Sequence, residues 1–177
     1  MLFRSQQLDP LSPTAGSFIA SAYLMARRFD EAFEEAKKTV ELDPNNPFSR
    51  EILAMSYGAK GNHTVAIAEL EKIKPMLPTA EVIGGLGMEY ALAGRRDDAL
   101  KILTELKQMA QQQYISPFSV ALVYVGLGDK DQAFAYLEKA REDQSEWMGW
   151  LQSCAMLDSL HADPRFADLV RRVGLGQ

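Results

Sequence analysis

The chain has 177 residues and a formal net charge of −5, with 47% hydrophobic and 24% charged residues, which is the composition of an ordinary globular protein. Mild acidity without a block of Lys and Arg argues against a nucleic-acid backbone as the main ligand. The single cysteine, Cys154, excludes an intrachain disulfide and a Cys-rich zinc site. Because we find neither a secretory-signal pattern nor an apolar run long enough to span a bilayer, we expect a cytoplasmic protein with no membrane association.

A repeat with a period of about 34 residues runs along most of the chain. Tyrosines recur with this period, and alanines nine positions after each of them keep the same intervals: Tyr23, Tyr57, Tyr90 and Tyr124, with Ala32, Ala66, Ala99 and Ala133. Small residues precede the tyrosines by three positions, and glycines follow the last three tyrosines by four: Ala20, Ala54, Gly87 and Ala121, then Gly61, Gly94 and Gly128. These four sets of residues recur with the same period and keep fixed offsets from one another, which predicts a repeat architecture.

Helix geometry explains the order of the markers. A small residue and a tyrosine three positions later lie on one face of a helix, and the glycine then ends that helix in a left-handed conformation. Asn62 and Asp129 are N-cap candidates for a second helix, and Gln132 completes a capping-box pattern with Asp129. Each repeated alanine forms a buried stripe with the residue four later: Ala36, Leu70, Leu103 and Leu137. Each unit is therefore predicted to be a helical hairpin that cannot bury its apolar face alone.

In chain order, the pattern divides the sequence into a stub, four hairpins and a cap. Leu8-Asp9-Pro10 resembles the end of a second helix, so we expect residues 1–12 to end a truncated preceding repeat. The cap contains Trp147 and Trp150, which we expect to seal the last apolar face, and Asp163-Pro164, which starts a short helix. The predicted hairpins are residues 13–46, 47–79, 80–113 and 114–145, and the cap is residues 146–177.

Hairpins with this period and this order of tyrosine, alanine and glycine resemble the tetratricopeptide repeat (TPR) family, over roughly residues 13–145. The resemblance implies an all-α fold, namely a right-handed α-solenoid of about four TPR hairpins with a C-terminal capping helix segment. It also implies a non-catalytic scaffold for protein–protein interaction.

The C-terminal part is similar to the TPR region at the C-termini of bacterial signalling and transcriptional regulator proteins. Four runs carry this likeness: Tyr114-Ile115-Ser116-Pro117-Phe118, Leu127-Gly128-Asp129-Lys130-Asp131-Gln132-Ala133-Phe134, Ala162-Asp163-Pro164-Arg165-Phe166 and Val173-Gly174-Leu175. That group usually has an extra Asp-Pro turn where this chain has residues 154–160. Its repeats follow DNA-binding, kinase or cyclase domains, none of which this sequence contains, and the likeness implies a regulatory part of a bacterial signalling protein. Because the sequence begins as though in the middle of a repeat, we expect a fragment or remnant of a longer array.

A partner-binding groove is expected where the first helices line the concave face of such a solenoid. Most of its residues are apolar, and the Lys and Asn with which some TPR domains clamp a chaperone carboxylate are missing. We therefore predict a protein or peptide partner that offers an apolar helix or an extended segment. An alternative is that the chain's own terminal helix or a second copy fills this face. The groove residues are Ser17, Ser21, Leu24, Phe48, Glu51, Met55, Glu81, Gly84, Met88, Ile115, Phe118, Leu122 and Val125.

No constellation in the sequence favours catalysis, a metal or a cofactor. His63 and His161 are far apart and lack ligand-spaced partners, and Cys154 is expected in an apolar cap. Gly84-Gly85-Leu86-Gly87 lacks the preceding strand and the following Lys-Ser/Thr of a phosphate loop, so we interpret Gly87 as a close helix contact. The alternatives are a domain for small-molecule sensing or self-assembly and, less favoured, an RNA-binding helical repeat.

Overall fold

The first of two compact units contains two helical hairpins. The computed structural model describes residues 12–175, and the chain divides into the units after Pro78. The first unit holds α1 (Pro13–Met25), α2 (Phe29–Leu42), α3 (Pro47–Ala59) and α4 (His63–Ile73). The expectation for residues 1–12 rests on Leu8-Asp9-Pro10, which lie outside the described residues.

The second unit contains two more hairpins and the closing segment. The hairpins are α5 (Ala80–Leu92) with α6 (Arg96–Gln112) and α7 (Pro117–Leu127) with α8 (Lys130–Glu142). Two short 3₁₀ turns, Glu146–Trp150 and Ala155–Leu160, lead to the last helix, α9 (Pro164–Val173). Residues 12–175 contain no strand, and the expected all-α fold of TPR hairpins is confirmed.

One hydrogen-bonded turn closes the first helix of every hairpin. The backbone N–H five residues after each repeated tyrosine donates to that tyrosine's carbonyl: Arg28 to Tyr23 at 2.9 Å, Asn62 to Tyr57 at 2.9 Å, Arg95 to Tyr90 at 2.8 Å and Asp129 to Tyr124 at 3.0 Å. The residue before each donor is left-handed, as the Schellman geometry requires. Gly128 takes this position with φ 74°, as the sequence predicts, whereas Arg27 takes it in the first hairpin with φ 60°.

The helix starts agree with the sequence in part. Asp129 caps α8, because its carboxylate accepts the N–H of Gln132 at 3.1 Å. Asn62 takes the predicted N-cap position of α4, but its side chain makes no capping bond. Asp163 caps α9 by accepting the N–H of Arg165, two residues later, at 3.1 Å.

The repeated small residues form the centre of each hairpin. The alanines of the second helices and those of the first helices are completely buried: Ala32, Ala66, Ala99 and Ala133, with Ala20, Ala54 and Ala121. A Cβ atom on Gly87 would lie 2.6 Å from Cγ2 of Ile102 on α6. The close helix contact expected at Gly87 is therefore confirmed, since a larger residue there would separate the two helices.

The closing segment keeps the period of the hairpins. α9 begins one full period after the start of α8, and its cap Asp163 follows Asp129 by the same interval. α9 packs on α8, while the turn Ala155–Leu160 packs on α7, in the place of a further first helix. The cap is thus a reduced fifth hairpin in which short 3₁₀ turns replace the first helix.

Two glycine-to-alanine substitutions should change stability in opposite directions. A Cβ on Gly128 or on Gly85 would meet no atom within 4 Å, so only the backbone conformation distinguishes the two sites. We expect Gly128→Ala to lower the free energy of unfolding by about 1–2 kcal/mol, because its φ is positive. Gly85→Ala, inside α5, should raise it by about 1 kcal/mol through helix propensity. Urea unfolding followed by circular dichroism measures both, and changes of equal sign would contradict this account.

Candidate partner-binding surface

The predicted groove residues of the first unit are partly accessible. Ser17 and Leu24 are buried, and the Ser17 hydroxyl forms a 2.9 Å hydrogen bond with the Ser49 hydroxyl that joins α1 to α3. The other four predicted residues of this unit are half-buried: Ser21, Phe48, Glu51 and Met55.

The sequence analysis missed Phe18, which is the most exposed aromatic residue of this surface. Its side chain is 48% exposed, and its ring centroid lies 5.5 Å from that of Phe48 on α3. Ser21 lies one turn further along α1, a helix that contains no charged residue. We call Phe18, Ser21, Phe48, Glu51 and Met55 the front surface. The signal available in the sequence was a large aromatic residue directly after the predicted groove position Ser17.

The predicted groove residues of the second unit are mostly core. Glu81 and Ile115 are half-buried, whereas Gly84 is buried where α5 meets α7, so that a Cβ on it would lie 2.5 Å from the Ser119 carbonyl oxygen. The remaining four share one apolar cluster with the closing segment: Met88, Phe118, Leu122 and Val125. In this unit the chain's own side chains therefore cover most of the predicted groove residues.

The two tryptophans of the closing segment behave differently. Trp147 packs on the apolar cluster, and its ring stacks on Phe118 with centroids 5.8 Å apart and an interplanar angle of 14°. Trp150 is 49% exposed. Trp147 therefore covers the last hairpin as expected, and Trp150 does not.

Ion pairs hold α9 against α8. Arg165 bonds Asp131 at 2.8 Å, and Arg172 bonds Glu138 at 3.0 Å. Hydrogen bonds from the Arg165 side chain and backbone lower the pKa of Asp163 to about 2. These groups are at the surface, so they orient the helix more than they stabilise it.

The histidines and the cysteine form no recognisable reactive site. His63 is the first residue of α4, and the His161 ring packs against Phe166 with centroids 4.5 Å apart. Burial raises the pKa of the Cys154 thiol to about 11, which keeps it protonated at neutral pH and suppresses its nucleophilicity. Within residues 12–175, no three His, Cys, Asp or Glu side chains are grouped to hold a metal ion. Nor does this part of the chain contain a helix with the length and apolar character to cross a membrane.

Two phenylalanine truncations separate core from surface. Phe118→Ala should lower the free energy of unfolding by about 3–5 kcal/mol, because Phe118 is only 2% exposed and supports the Trp147 ring. Phe18→Ala should lower the free energy of unfolding by about 1 kcal/mol or less. Urea denaturation of both variants measures the difference, and equal losses would contradict the assignment of Phe18 to the surface.

Arg165 should control the ionisation of the α9 cap. In Arg165→Ala we expect the pKa of Asp163 to rise from about 2 towards 3.8, because the side-chain hydrogen bond is lost. Since the folded-state pKa is depressed, the stabilisation from this carboxylate is present above about pH 4 and lost as the pH falls to about 2. Carbon-13 NMR of the carboxyl group reports the titration. Arg171→Ala is the control, because Arg171 pairs with Asp168 instead; an unchanged Asp163 titration in Arg165→Ala would refute the assignment.

Comparison with protein families supports the repeat assignment. The family model of the tetratricopeptide repeat matches residues 118–141, which lie in α7 and α8. A search of the curated proteins finds no match.

Solved structures share the fold at low sequence identity. The APC/C hetero-tetramer Cut9–Hcn1 matches with a TM-score of 0.67 and 16% identity over 99% of this chain and 36% of that one, so this chain spans about a third of its length. YrrB, described as a TPR protein with an unusual peptide-binding site, matches with a TM-score of 0.57 and 12% identity over 97% and 90% of the two chains. A tetratricopeptide repeat protein from Parabacteroides merdae matches with a TM-score of 0.56 and 12% identity over 99% and 71%. The shared fold and the matched repeat together support the tetratricopeptide repeat family.

Proposed function

We propose that this protein is a non-catalytic scaffold that binds a protein or peptide partner through the front surface. One observation carries the proposal: the Phe18 and Phe48 rings pack together and keep accessible area on a helix pair whose first member has no charge. Clustered apolar side chains at the surface of a folded unit favour contact with another molecule. TPR domains generally serve in protein–protein interaction, and the YrrB structure is described as having a peptide-binding site.

The proposed partner is an apolar helix or extended segment. Aromatic rings and the Met55 side chain give adaptable contact area, and the surface lacks the basic side chains that a carboxylate terminus or a phosphate backbone requires. The other predicted groove residues with accessible area, Glu81 and Ile115, belong to the second unit. The buried residues of the first unit, Ser17 and Leu24, support the front surface by packing.

The proposed setting is the regulatory part of a cytoplasmic bacterial signalling protein. The runs around Gly128 and Asp163 that resemble the C-terminal repeats of such proteins support this setting. The net charge of −5 disfavours a nucleic-acid partner.

A matched pair of charge substitutions tests the front surface. Peptides selected from a displayed library on the wild-type chain are measured against Phe18→Glu and Leu100→Glu by isothermal titration calorimetry. Leu100, on α6, is 42% exposed and lies outside the front surface, so it controls for the added charge. We expect Phe18→Glu to weaken binding by roughly 10-fold or more, because a charge would enter an apolar contact. Leu100→Glu should leave binding unchanged.

Three results would contradict the proposal. They are a failure to select any peptide, equal losses in the two variants, and a wild-type dimer in light scattering that Phe18→Glu dissociates. The last result would assign the front surface to self-assembly. Circular dichroism checks that both variants remain folded.

A further inference from the structure

The same row of first-helix positions is open in one hairpin and covered in another. Glu51 and Met55 of α3 are half-buried. Their counterparts two repeats later, Phe118 and Leu122 of α7, are 2% and 4% exposed. The row on α7 is covered by residues 146–160 of the closing segment, which we call the strap.

The strap contacts the row through an aromatic and several aliphatic side chains. Trp147 stacks on Phe118, and the turn Ala155–Leu160 packs on α7. The strap residues buried in the same cluster as Leu122 and Val125 are Met148, Leu151, Leu157 and Leu160. The strap therefore presents to α7 an aromatic anchor, Trp147, and the aliphatic side chains of the turn Ala155–Leu160.

The backbone hydrogen bonds of the strap differ in type from those of the helix it covers. Its turns use bonds between residues three apart, such as Met148 N–H to the Ser145 carbonyl at 3.0 Å and Leu151 N–H to the Met148 carbonyl at 3.5 Å. Such 3₁₀ bonds have poorer geometry than those of an α-helix, and segments of this kind open at lower free energy than core helices. Both ends remain tethered, because α8 precedes the strap and α9 is ion-paired to α8.

We propose that the strap is an autoinhibitory occupant of the α7 row that competes with a partner segment of the same chemistry. The partner class is an apolar segment with one aromatic residue and several aliphatic residues. The tethered strap acts at high effective concentration, so the closed form predominates until such a segment displaces it. The inference rests on the proposed function in assigning partner contact to the first helices, but it concerns a different surface.

The test uses the strap sequence itself as the probe. A fluorescently labelled peptide of residues 145–161 is titrated against the full chain by anisotropy, as wild type, Trp147→Ala and Trp150→Ala. Trp147→Ala removes the ring from Phe118 and raises the open fraction, so we expect it to bind the peptide roughly 10-fold or more tightly than wild type. Trp150→Ala should match wild type, because Trp150 is half-exposed.

Two outcomes of the titration would overturn the inference. One is the absence of binding to a folded Trp147→Ala, and the other is equal affinity for all three chains. Adding Phe18→Glu to Trp147→Ala separates the two surfaces. Retained peptide binding would support the α7 row as the binding site. Loss of binding would show that the peptide binds the front surface, which would overturn this inference and leave the proposed function intact.

Amide hydrogen exchange on the wild type tests the strap without a substitution. We expect the amides of Met148, Leu151 and Leu157 to exchange at least about 100-fold faster than those in the middle of α7, with little dependence on dilute urea. Strap amides as slow as those of α7 would overturn the inference, because the strap would then open only with the whole unit. A dimer of Trp147→Ala in light scattering would also overturn the inference, because a second copy of the chain would then occupy the α7 row.

Discussion

A TPR-like hairpin has more apolar surface than its own two helices can cover, and this constraint governs the whole chain. Within a hairpin, completely buried alanines such as Ala20 and Ala32 let the helices approach closely. Between hairpins, Gly84 lets α5 reach the backbone of α7 at Ser119. After the fourth hairpin the same requirement remains, and the closing segment meets it with Trp147 and the side chains that follow.

The turns and the surface charges orient the helices without contributing to the apolar cores. The bond from the fifth residue after each tyrosine back to that tyrosine's carbonyl fixes where the second helix starts. Only a left-handed residue allows the bond, and Arg27 shows that the geometry persists even without glycine. The ion pairs of Arg165 and Arg172 lie on second helices and α9, at the surface. The first helix α1 has no charge, so Glu51 of α3 is the one charged residue among the five of the front surface.

Features that depend on one hairpin were predictable from the sequence, and features that depend on a neighbour were not. The period, the buried stripe and the turn glycines follow from helix geometry within a single repeat. The burial of Phe118 depends on Trp147, which lies beyond the whole of the next helix, and helical spacing on α7 does not reveal it. Likewise Phe18 occupies a face whose exposure depends on neighbouring elements. The interval from Asp129 to Asp163 equals one full period and was a usable sign that the cap continues the repeat.

The covered row and the open row differ in a way that bears on partner choice. Where Phe118 presents a ring to the strap, the equivalent position of the front surface carries Glu51. A segment that stacked an aromatic ring at this point, as Trp147 does on α7, would place it against a carboxylate and partly desolvate that charge. A partner of the front surface is better matched by a polar or basic residue at that point and by apolar residues at Phe18, Phe48 and Met55. Under the two proposals the rows would therefore favour different segments, and the segment that displaces the strap would differ from the one that binds the first unit.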